Sequence, residues 1–349
     1  MAKKKKFDAE AWADEKKEES VEIRRYQKKI NDLERKLHSY RVNQGIIVDA
    51  VKEVLDKGLD FELPKKPKKD RGKKSEEVVV IHVSDTQVGK VTESYNTMVA
   101  DERLQVLADK TIRATEARRN SAKIEECAVF LGGDLIEGEE VFKGQNWEID
   151  SSVFAQSLRS VPEMLGRMLL TLASSFQTVR VYGVLGNHGR NGPFGSRAHP
   201  QTNWDLVTME VLEQSLKKEK RIKFNISQDW YQVINILGWS NLMVHGHQVR
   251  GGFAGFPWYG IGRRAAGWKS AIREWESDGD RWNRYLWLGH FHTPAMCTIN
   301  DVIMLANGTT ESDNEFARSE LAASGRPCQR VAFFGSKMGI LADLMVYLD

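Results

Sequence analysis

Short apolar runs recur from residue 78 to the end of the chain, and polar or glycine-containing segments separate them. The runs occupy residues 78–83, 128–131, 179–185, 231–236, 242–244, 285–288, 302–305, 331–334 and 344–348. Two long segments with helix-compatible patterns, residues 95–120 and 153–176, lie between the early runs. Such runs are typical of buried strands, and their alternation with helices predicts a layered α/β domain. The closely spaced runs late in the chain indicate a mixed sheet or two sheets.

The N-terminal part of the chain has a helical pattern of a different kind. Apolar and aromatic residues recur there at spacings of three and four, as in a heptad repeat, at Ile23, Tyr26, Ile30, Leu33, Leu37 and Tyr40. We therefore expect a helical, partly heptad-patterned extension over residues 1–62. The pattern is compatible with an amphipathic helix that docks on its own domain. It is equally compatible with a surface for self-association or for a protein partner.

Residues 63–76 are expected to link this extension to a domain at residues 77–349. The stretch is rich in proline and lysine, which is typical of a solvated linker. Residues 1–76 contain 22 lysines and arginines against 16 acidic residues, whereas the remainder contains 29 against 32. The basic surplus therefore belongs to the N-terminal segment. It would suit contact with phosphates, although a charge run alone is a weak signal.

The composition narrows the class of protein. With 41% hydrophobic and 28% charged residues in 349, the chain has the material for a sizeable core. No apolar run approaches the length that spans a membrane. The cysteines Cys127, Cys297 and Cys328 are odd in number and lack the CxxC spacing of a thiolate zinc site. We expect a cytoplasmic protein in a reducing compartment, without a disulfide framework or a membrane partner.

Polar side chains and glycines stand directly after the predicted strands. The side chains are Asp85, Gln87, Asp134, Asn187, His188, His245, His247, His290, His292 and Asn307. Because ligands bind at the carboxyl ends of strands in α/β folds, we expect these side chains to converge. A single Gly-Asp or Gly-His after a strand is more often a turn than a ligand.

Taken together, the strand-end residues combine oxygen donors with imidazoles. This mixture suits Mn²⁺, Fe or Zn²⁺ better than a thiolate site or an all-oxygen Ca²⁺ site. The ligands suffice for two divalent cations. Two such ions serve phosphoester hydrolysis, because they bind the phosphoryl oxygens and activate a bound water.

The motifs occur in the order Asp-x-Gln, Gly-Asp, Gly-Asn-His, His-Gly-His, Gly-His-x-His and Asn-Gly-Thr. Over about residues 78–310 this order resembles the calcineurin-like metallophosphoesterase superfamily. The chain is closest in kind to the DNA-repair exo/endonuclease branch and to bacteriophage-encoded phosphoesterases, which implies the host cytoplasm if it is phage-encoded. The resemblance implies a four-layer α/β fold, in which two mixed β-sheets pack face to face with helices outside.

The resemblance also implies roles for individual residues. One metal ion would be surrounded by Asp85, Gln87, Asp134 and His292, and the other by Asp134, Asn187, His245 and His290. Asp134 would then bridge the two ions, and His188 would contact phosphate and protonate the leaving oxygen. His247 would be an outer residue or face the substrate, and Arg190 is a further candidate for substrate contact. The Asn307-Gly308-Thr309 turn would pack under the site.

Two positions depart from the family pattern. Gln87 stands where the family usually has histidine, and its neutral, hard oxygen favours Mn²⁺ or Mg²⁺ over softer metals. Three outcomes are open: a working Mn²⁺ enzyme, an enzyme of low activity with one weakly held metal, or a binding module without catalysis. Gly189 stands where an acidic residue commonly follows the histidine, so His188 would need another orienting group, such as Glu137 or Glu139.

The segment between His247 and His290 interleaves basic and aromatic residues, which suits a strand of nucleic acid. Trp258, Tyr259, Arg263 and Arg264, in a predicted glycine-rich loop, are the candidate contacts. The alternative for Trp268, Trp275 and Trp282, which are seven apart, is the buried stripe of an amphipathic helix.

The leading interpretation is a metal-dependent phosphodiesterase that acts as a nuclease on DNA. Its alternatives are a phosphodiesterase for small nucleotides, a phosphoprotein phosphatase, and a DNA-associated scaffold module of weak activity.

Overall fold

A computed structural model describes residues 25, 28–32, 35, 49, 51–54, 56–69, 75–192, 199, 201–250, 256–272, 275, 284–314 and 325–349. The chain divides into two compact units, Met1–Glu53 and Val54–Asp349. Of the heptad positions, Ile30 is helical and 48% exposed. The other five, Ile23, Tyr26, Leu33, Leu37 and Tyr40, lie outside the described residues.

The larger unit contains two mixed β-sheets. The first has the order β11-β10-β1-β2-β3-β4, with strands β1 Ser75–Val83, β2 Ala122–Leu131, β3 Thr178–Gly183, β4 Ile222–Ile226, β10 Cys328–Gly335 and β11 Gly339–Tyr347. The second has the order β5-β6-β7-β9-β8, with strands β5 Tyr231–Ile236, β6 Trp239–Val244, β7 Arg284–Leu288, β8 Ala295–Ile299 and β9 Val302–Ala306. Strands β1 to β4 are parallel, as are β6, β7 and β9, whereas β5, β8, β10 and β11 pair antiparallel to their neighbours.

Four longer helices lie along these sheets. They are α1 Thr97–Arg118, α2 Val161–Ser175, α3 Trp204–Ser215 and α4 Trp258–Ala271. A short helical turn, Val153–Ala155, leads through a π-helical turn, Gln156–Ser160, into α2. Asn96 and Asn203 cap α1 and α3, because each side-chain oxygen accepts a hydrogen bond from a backbone N–H in the first turn.

Successive side chains of a strand point to opposite faces of its sheet, so their packing partners show the order of the layers. On β1, Val79 and Ile81 belong to one core with the helices α1, α2 and α3, whereas Val80 faces a second core that it shares with Trp287 of β7. On β7, Leu286 lies in a third core together with residues of α4. The order is therefore helices, sheet, sheet, helix, and the expected four-layer fold with two mixed sheets face to face is confirmed.

One local prediction is wrong. Trp258, Tyr259, Arg263 and Arg264 belong to helix α4 and not to a glycine-rich loop. A Cβ at Gly260 would lie 2.5 Å from the carbonyl oxygen of Arg250, so this glycine allows close packing within a helix. The buried-stripe interpretation agrees with Trp268 and Trp275, which are 6% and 0% exposed, whereas Trp282 lies outside the described residues.

The described part of the predicted linker lies against the domain. The carbonyl oxygens of Pro64 and Pro67 accept hydrogen bonds from Arg221 and Gln177, each at 2.8 Å. Residues 64–67 are therefore held at the surface and differ from a fully solvated tether. In the part of the chain that the structure describes, no helix is long and apolar enough to cross a bilayer.

Candidate metal centre

The strand-end side chains meet at one edge, where the two sheets adjoin. In the first sheet, the backbone N–H groups of Asp85 and Gln87 donate to the carbonyls of Gly133 and Asp134, each at 3.0 Å. Between the sheets, the N–H of His290 donates to Asp85 Oδ1 at 2.8 Å. The carboxyl ends of β1 and β2 are thus joined to each other and to the loop after β7.

The backbone of these loops is strained in a way that is typical of functional sites. Eight non-glycine residues in the described chain have a positive φ. Five of them are predicted ligands: Asp85, Gln87, Asp134, His290 and His292. Such conformations cost on the order of 1–3 kcal/mol each and persist only where surrounding contacts impose them. The loops are therefore shaped to direct these side chains.

Asp134 lies at the centre of the group and is 1% exposed. Its Oδ1 accepts a hydrogen bond from the His188 backbone N–H at 2.7 Å, and its Oδ2 lies 2.9 Å from His245 Nε2. Burial acts to raise the pKa of Asp134, but the adjacent His245 and His188 hold it well below its usual value. The carboxylate is therefore ionised and has neighbours on both sides, as a bridging ligand requires.

We call Asp134, Asn187, His245 and His290 the His245 half. His245 Nδ1 donates to the Gly132 carbonyl at 2.8 Å, which directs Nε2 towards Asp134 Oδ2 and towards Asn187 Oδ1 at 3.1 Å. The donor atoms of Asp134, His245 and His290 all lie within 4.8 Å of one another. Two acceptor oxygens and imidazole nitrogens that converge in this way fit a divalent cation.

We call Asp85, Gln87, Asp134 and His292 the His292 half. His292 Nε2 lies 3.4 Å from Asp85 Oδ1 and 3.3 Å from Gln87 Nε2. Gln87 Oε1 is buried and has no hydrogen-bond partner within the described residues. An unpartnered buried carbonyl is costly, so this oxygen fits the role of a metal ligand. The residues of both halves thus fit divalent cations.

Glu311 supports the His292 half and was not predicted from the sequence. Its Oε1 lies 2.6 Å from His292 Nδ1, so it directs Nε2 of that ring towards Asp85 and Gln87. Burial acts to raise the pKa of Glu311, but His292 and Lys90 lower it to about 2. A buried carboxylate behind a ligating histidine fixes the ring and raises its basicity.

Asp205 was also missed, and it supports the loops of both halves. Its carboxylate is buried at the start of α3 and accepts backbone hydrogen bonds from Asp134, Leu135 and Gly186 at 2.9, 3.0 and 2.9 Å. Burial, together with the charge of Asp134, raises the pKa of Asp205 to about 6. Both of its oxygens accept backbone hydrogen bonds, so it fixes the turns that carry Asp134 and Asn187.

His188 has an orienting carboxylate despite Gly189. Its Nδ1 lies 2.9 Å from the Glu137 carbonyl oxygen and 3.2 Å from Glu137 Oε2. Burial acts to lower the pKa of His188, but Glu137 and Asp134 raise it to about 9. Of the two candidates named from the sequence, the structure places Glu137 there, because Glu139 accepts from the Val153 N–H instead.

The geometry explains why position 189 cannot supply that carboxylate. A Cβ at Gly189 would lie 2.3 Å from Asn203 Oδ1 and 2.9 Å from the backbone nitrogen of Asp205. Any side chain there would displace the turn that leads into α3. Glu137 lies shortly after Asp134 in the chain, and its carboxylate contacts the His188 imidazole instead.

The closing turn packs under the site, as expected. Asn307 Nδ2 donates to the carbonyl of His82 at 3.1 Å and to Ser84 Oγ at 3.0 Å. Thr309 Oγ1 donates to the carbonyl of Asp85 at 2.7 Å. The turn therefore fixes the end of β1 directly below the Asp85 carboxylate.

The predicted substrate-binding residues form two groups. His247 and Arg190 lie beside predicted ligands, whereas Trp258, Arg263 and Arg264 lie on helix α4. His247 is exposed, and its ring centroid is 5.6 Å from that of His245. Arg190 Nε donates to the Asn187 carbonyl at 2.6 Å. Trp258 is 48% exposed and packs on Phe256.

A chain of aromatic contacts joins Trp258 to the site. The centroids of Trp258 and Phe256 are 4.4 Å apart, and those of Phe256 and Phe291 are 5.2 Å apart. Phe291 follows His290 directly. Arg263 and Arg264 are exposed on the same helix, α4, and lie one turn or more beyond Trp258.

No protein-family model and no curated protein matches the sequence. Solved structures that resemble the chain include a predicted phosphoesterase from Streptococcus pneumoniae, an archaeal phosphodiesterase, and Vps29 complexed with Zn²⁺ from Entamoeba histolytica. Their identities are 11%, 11% and 16%, and their TM-scores are 0.28, 0.35 and 0.33. The matches cover 77%, 77% and 78% of this chain, and 98%, 99% and 99% of the neighbours.

All three TM-scores lie below 0.5, so the assignment rests on this chain's own residues. Its two mixed sheets, four layers and strand-end motifs agree with the resemblance to calcineurin-like metallophosphoesterases. The four-layer fold that the resemblance implies is therefore present in this chain.

Proposed function

We propose that the chain is a two-metal phosphodiester hydrolase. The observation that carries the proposal is Asp134, a buried and ionised carboxylate with one oxygen facing His245 and the other fixed by the His188 N–H. Donors converge on it from both sheets, and each of the two halves offers oxygen and imidazole ligands. Paired divalent cations bind phosphoryl oxygens and lower the pKa of a bound water.

In this proposal His188 is the general acid. The neighbouring Glu137 and Asp134 raise the pKa of His188, which favours the protonated imidazole, and its ring is 15% exposed beside the donors. The proton on Nε2 is the one that passes to the leaving oxygen, because Nδ1 is occupied by Glu137. Glu137 holds the ring in place and stabilises its positive charge.

Mn²⁺ is the proposed metal, with Mg²⁺, Fe and Zn²⁺ as the alternatives. Gln87 brings a neutral, hard oxygen to the His292 half, and such oxygens suit Mn²⁺ and Mg²⁺. The imidazoles of His245, His290 and His292 suit Mn²⁺ better than Mg²⁺.

DNA is the proposed substrate, and the chain would act as a nuclease. Helix α4 supports this assignment, because Trp258 is half exposed and Arg263 and Arg264 are exposed on the same helix. Exposed rings stack on bases, and exposed guanidinium groups pair with phosphates. A small-nucleotide phosphodiesterase is the second candidate. The exposed His247 beside the His245 ring favours it, since a small diester needs contacts only at the centre.

The two candidates separate in one experiment. The double variant Arg263→Ala, Arg264→Ala is assayed with Mn²⁺ on labelled single- and double-stranded DNA and on bis-p-nitrophenyl phosphate. Its control is Arg113→Ala, Arg159→Ala, which removes two exposed arginines from elsewhere in the chain. A nuclease should lose DNA cleavage but keep diester hydrolysis, and the salt dependence of DNA binding should flatten by about one unit of slope per lost phosphate contact.

Parallel losses on DNA and on the small diester would favour the small-nucleotide phosphodiesterase. Wild-type protein that binds DNA and Mn²⁺ but cleaves neither substrate would point to a DNA-associated scaffold.

A further inference from the structure

Lys90 ends the stretch that carries Asp85 and Gln87, and it is not one of the predicted metal ligands. Its side chain is only 9% exposed. Lysine is rarely buried unless it is paired. Nζ of Lys90 lies 3.6 Å from Glu137 Oε1 and 3.9 Å from Glu311 Oε2, so it stands between two buried carboxylates.

In each of the two carboxylates, one oxygen faces a histidine of the site and the other faces Lys90. Glu137 directs Oε2 to His188 and Oε1 to Lys90. Glu311 directs Oε1 to His292 and Oε2 to Lys90. Each carboxylate therefore spans from a histidine of the site to the same ammonium group.

A ring contact adds a second connection on the His188 side. Lys90 Nζ lies 6.0 Å from the centroid of the Phe142 ring. The Phe142 ring in turn meets the His188 ring edge-on, with centroids 6.4 Å apart. Gln145 completes the arrangement, because its amide donates to the Glu137 carbonyl at 2.7 Å and to Glu137 Oε1 at 3.0 Å.

We propose that Lys90 is a positioning residue that holds His188 and His292 together through Glu137 and Glu311. Two carboxylates that are 0% and 2% exposed would repel each other across this site without a cation between them. Fixing the outer oxygen of each carboxylate fixes the inner one, and the inner oxygen sets the plane of the imidazole. The part that concerns His188 rests on the proposed function, and the part that concerns His292 requires only that the site binds a divalent cation.

The test compares Lys90→Met with Lys143→Met, which removes an exposed lysine from the neighbouring loop. Mn²⁺ binding is measured by titration calorimetry on both variants and on wild type. Loss of an outer residue behind a ligand typically weakens metal binding roughly 10–100-fold. We expect the weaker of the two Mn²⁺ affinities to fall by about 10-fold in Lys90→Met, and to stay unchanged in Lys143→Met. Lys90→Arg keeps the cation and should restore the affinity.

The second readout is the dependence of turnover on the leaving group. A series of aryl and alkyl phosphodiesters is hydrolysed by each variant. A displaced acid matters most where the leaving oxygen needs a proton, so Lys90→Met should lose more turnover on alkyl diesters than on p-nitrophenyl diesters. A residue that only supports the fold would lower turnover on all of them equally.

Lys90→Met and Lys143→Met with equal Mn²⁺ affinities and equal leaving-group dependence would overturn the proposal. If circular dichroism shows that Lys90→Met does not fold, Lys90→Gln takes its place, because it removes the cation between the two carboxylates but keeps a polar side chain. The same equality then overturns the proposal. Wild type that binds Mn²⁺ but hydrolyses no diester would overturn the proposed function, and the affinities alone would then decide the role of Lys90 at His292.

Discussion

The His245 half and the His292 half, which share Asp134 in the proposed function, hold their imidazoles by different means. His245 is fully buried, and a backbone carbonyl, that of Gly132, accepts its Nδ1 proton. His292 is partly exposed, and a carboxylate, that of Glu311, faces its Nδ1. A carbonyl fixes the ring without adding a charge, whereas a carboxylate fixes the ring and increases its basicity.

This difference agrees with the ligand types of the two halves. The predicted ligands of the His292 half include Gln87, whose side chain is neutral. Glu311 adds a negative charge just outside the ligand set, 2.6 Å from the ring. In the proposed site, the charge of Glu311 behind His292 would offset the weaker binding of the neutral Gln87 ligand.

Asp134→Ala removes the residue that the two halves share. We expect turnover to fall to background and both Mn²⁺ affinities to collapse, because no carboxylate would remain between two cations. Metal analysis after dialysis against Mn²⁺ measures the loss. Asp109→Ala, at an exposed position on α1, is the control and should retain full metal content and activity. An Asp134→Ala protein with both ions bound would contradict the bridging role.

His188→Ala tests whether His188 contributes to catalysis without contributing to metal binding. His188 touches Asp134 only through its backbone N–H, which alanine retains, so metal content should stay near that of wild type. Turnover on alkyl diesters should fall roughly 10²–10⁴-fold, which is the usual contribution of a positioned acid. The exposed His199→Ala serves as the control. Equal losses on alkyl and p-nitrophenyl diesters would instead assign His188 to phosphate positioning.

Glu311→Gln tests the proposed asymmetry directly. It keeps the shape of the side chain but removes the charge behind His292, so one Mn²⁺ affinity should fall by roughly 10–100-fold while the other is unchanged. Two-step calorimetric titration resolves the pair. The exposed Glu93→Gln gives the baseline. If both affinities fell together, the two halves would not be supported independently.

Gln87→His should have the smallest effect, and it should raise a metal affinity where the other variants lower activity or affinity. The added imidazole should raise the affinity of the His292 half on the order of 10-fold, equal to about 1.4 kcal/mol, and should favour Zn²⁺ and Co²⁺ over Mg²⁺. Competitive titration among these ions measures the shift. Lys143→His adds an imidazole at an exposed position and should change nothing. An unchanged metal preference in Gln87→His would mean that residue 87 is not a ligand.

The sequence pattern predicts all seven interior strands of the two described sheets but only two of the four edge strands, β5 and β11. Both strands that the pattern missed, Ile222–Ile226 and Ala295–Ile299, lie at an edge of their sheet. Their residues alternate in burial, and charged or polar residues interrupt the apolar positions. A continuous apolar run therefore does not form there. Helix α4 was missed for another reason, because its glycines indicated a loop although Gly260 serves close packing.

At the site, the residues that could be predicted from the sequence are those that directly follow a strand. The predicted ligands stand directly after strands, where an ordered sheet brings them to one edge, and the structure does bring them together. Asp205 contacts those residues through backbone N–H groups, Glu311 contacts an outer ring nitrogen, and Lys90 lies beside Glu137 and Glu311. Their partners are distant in sequence, so no spacing identifies them. Glu137 could be named because the glycine after His188 left that imidazole without its usual carboxylate.

The hydrogen bond from the His290 N–H to Asp85 Oδ1 has a consequence for the unfolding of the domain. It joins a loop of the second sheet to a strand end of the first, and the donors of each half likewise come from both sheets. The proposed ions would therefore add a cross-link between two layers that share an apolar core and hydrogen bonds such as that from Arg330 to the Ala306 carbonyl. A ligand that binds only the native state at 100 times its dissociation constant adds about 2.7 kcal/mol to the free energy of unfolding. Chelation of the ions should accordingly lower the melting temperature of the two-sheet domain. Scanning calorimetry measures this change without a substrate.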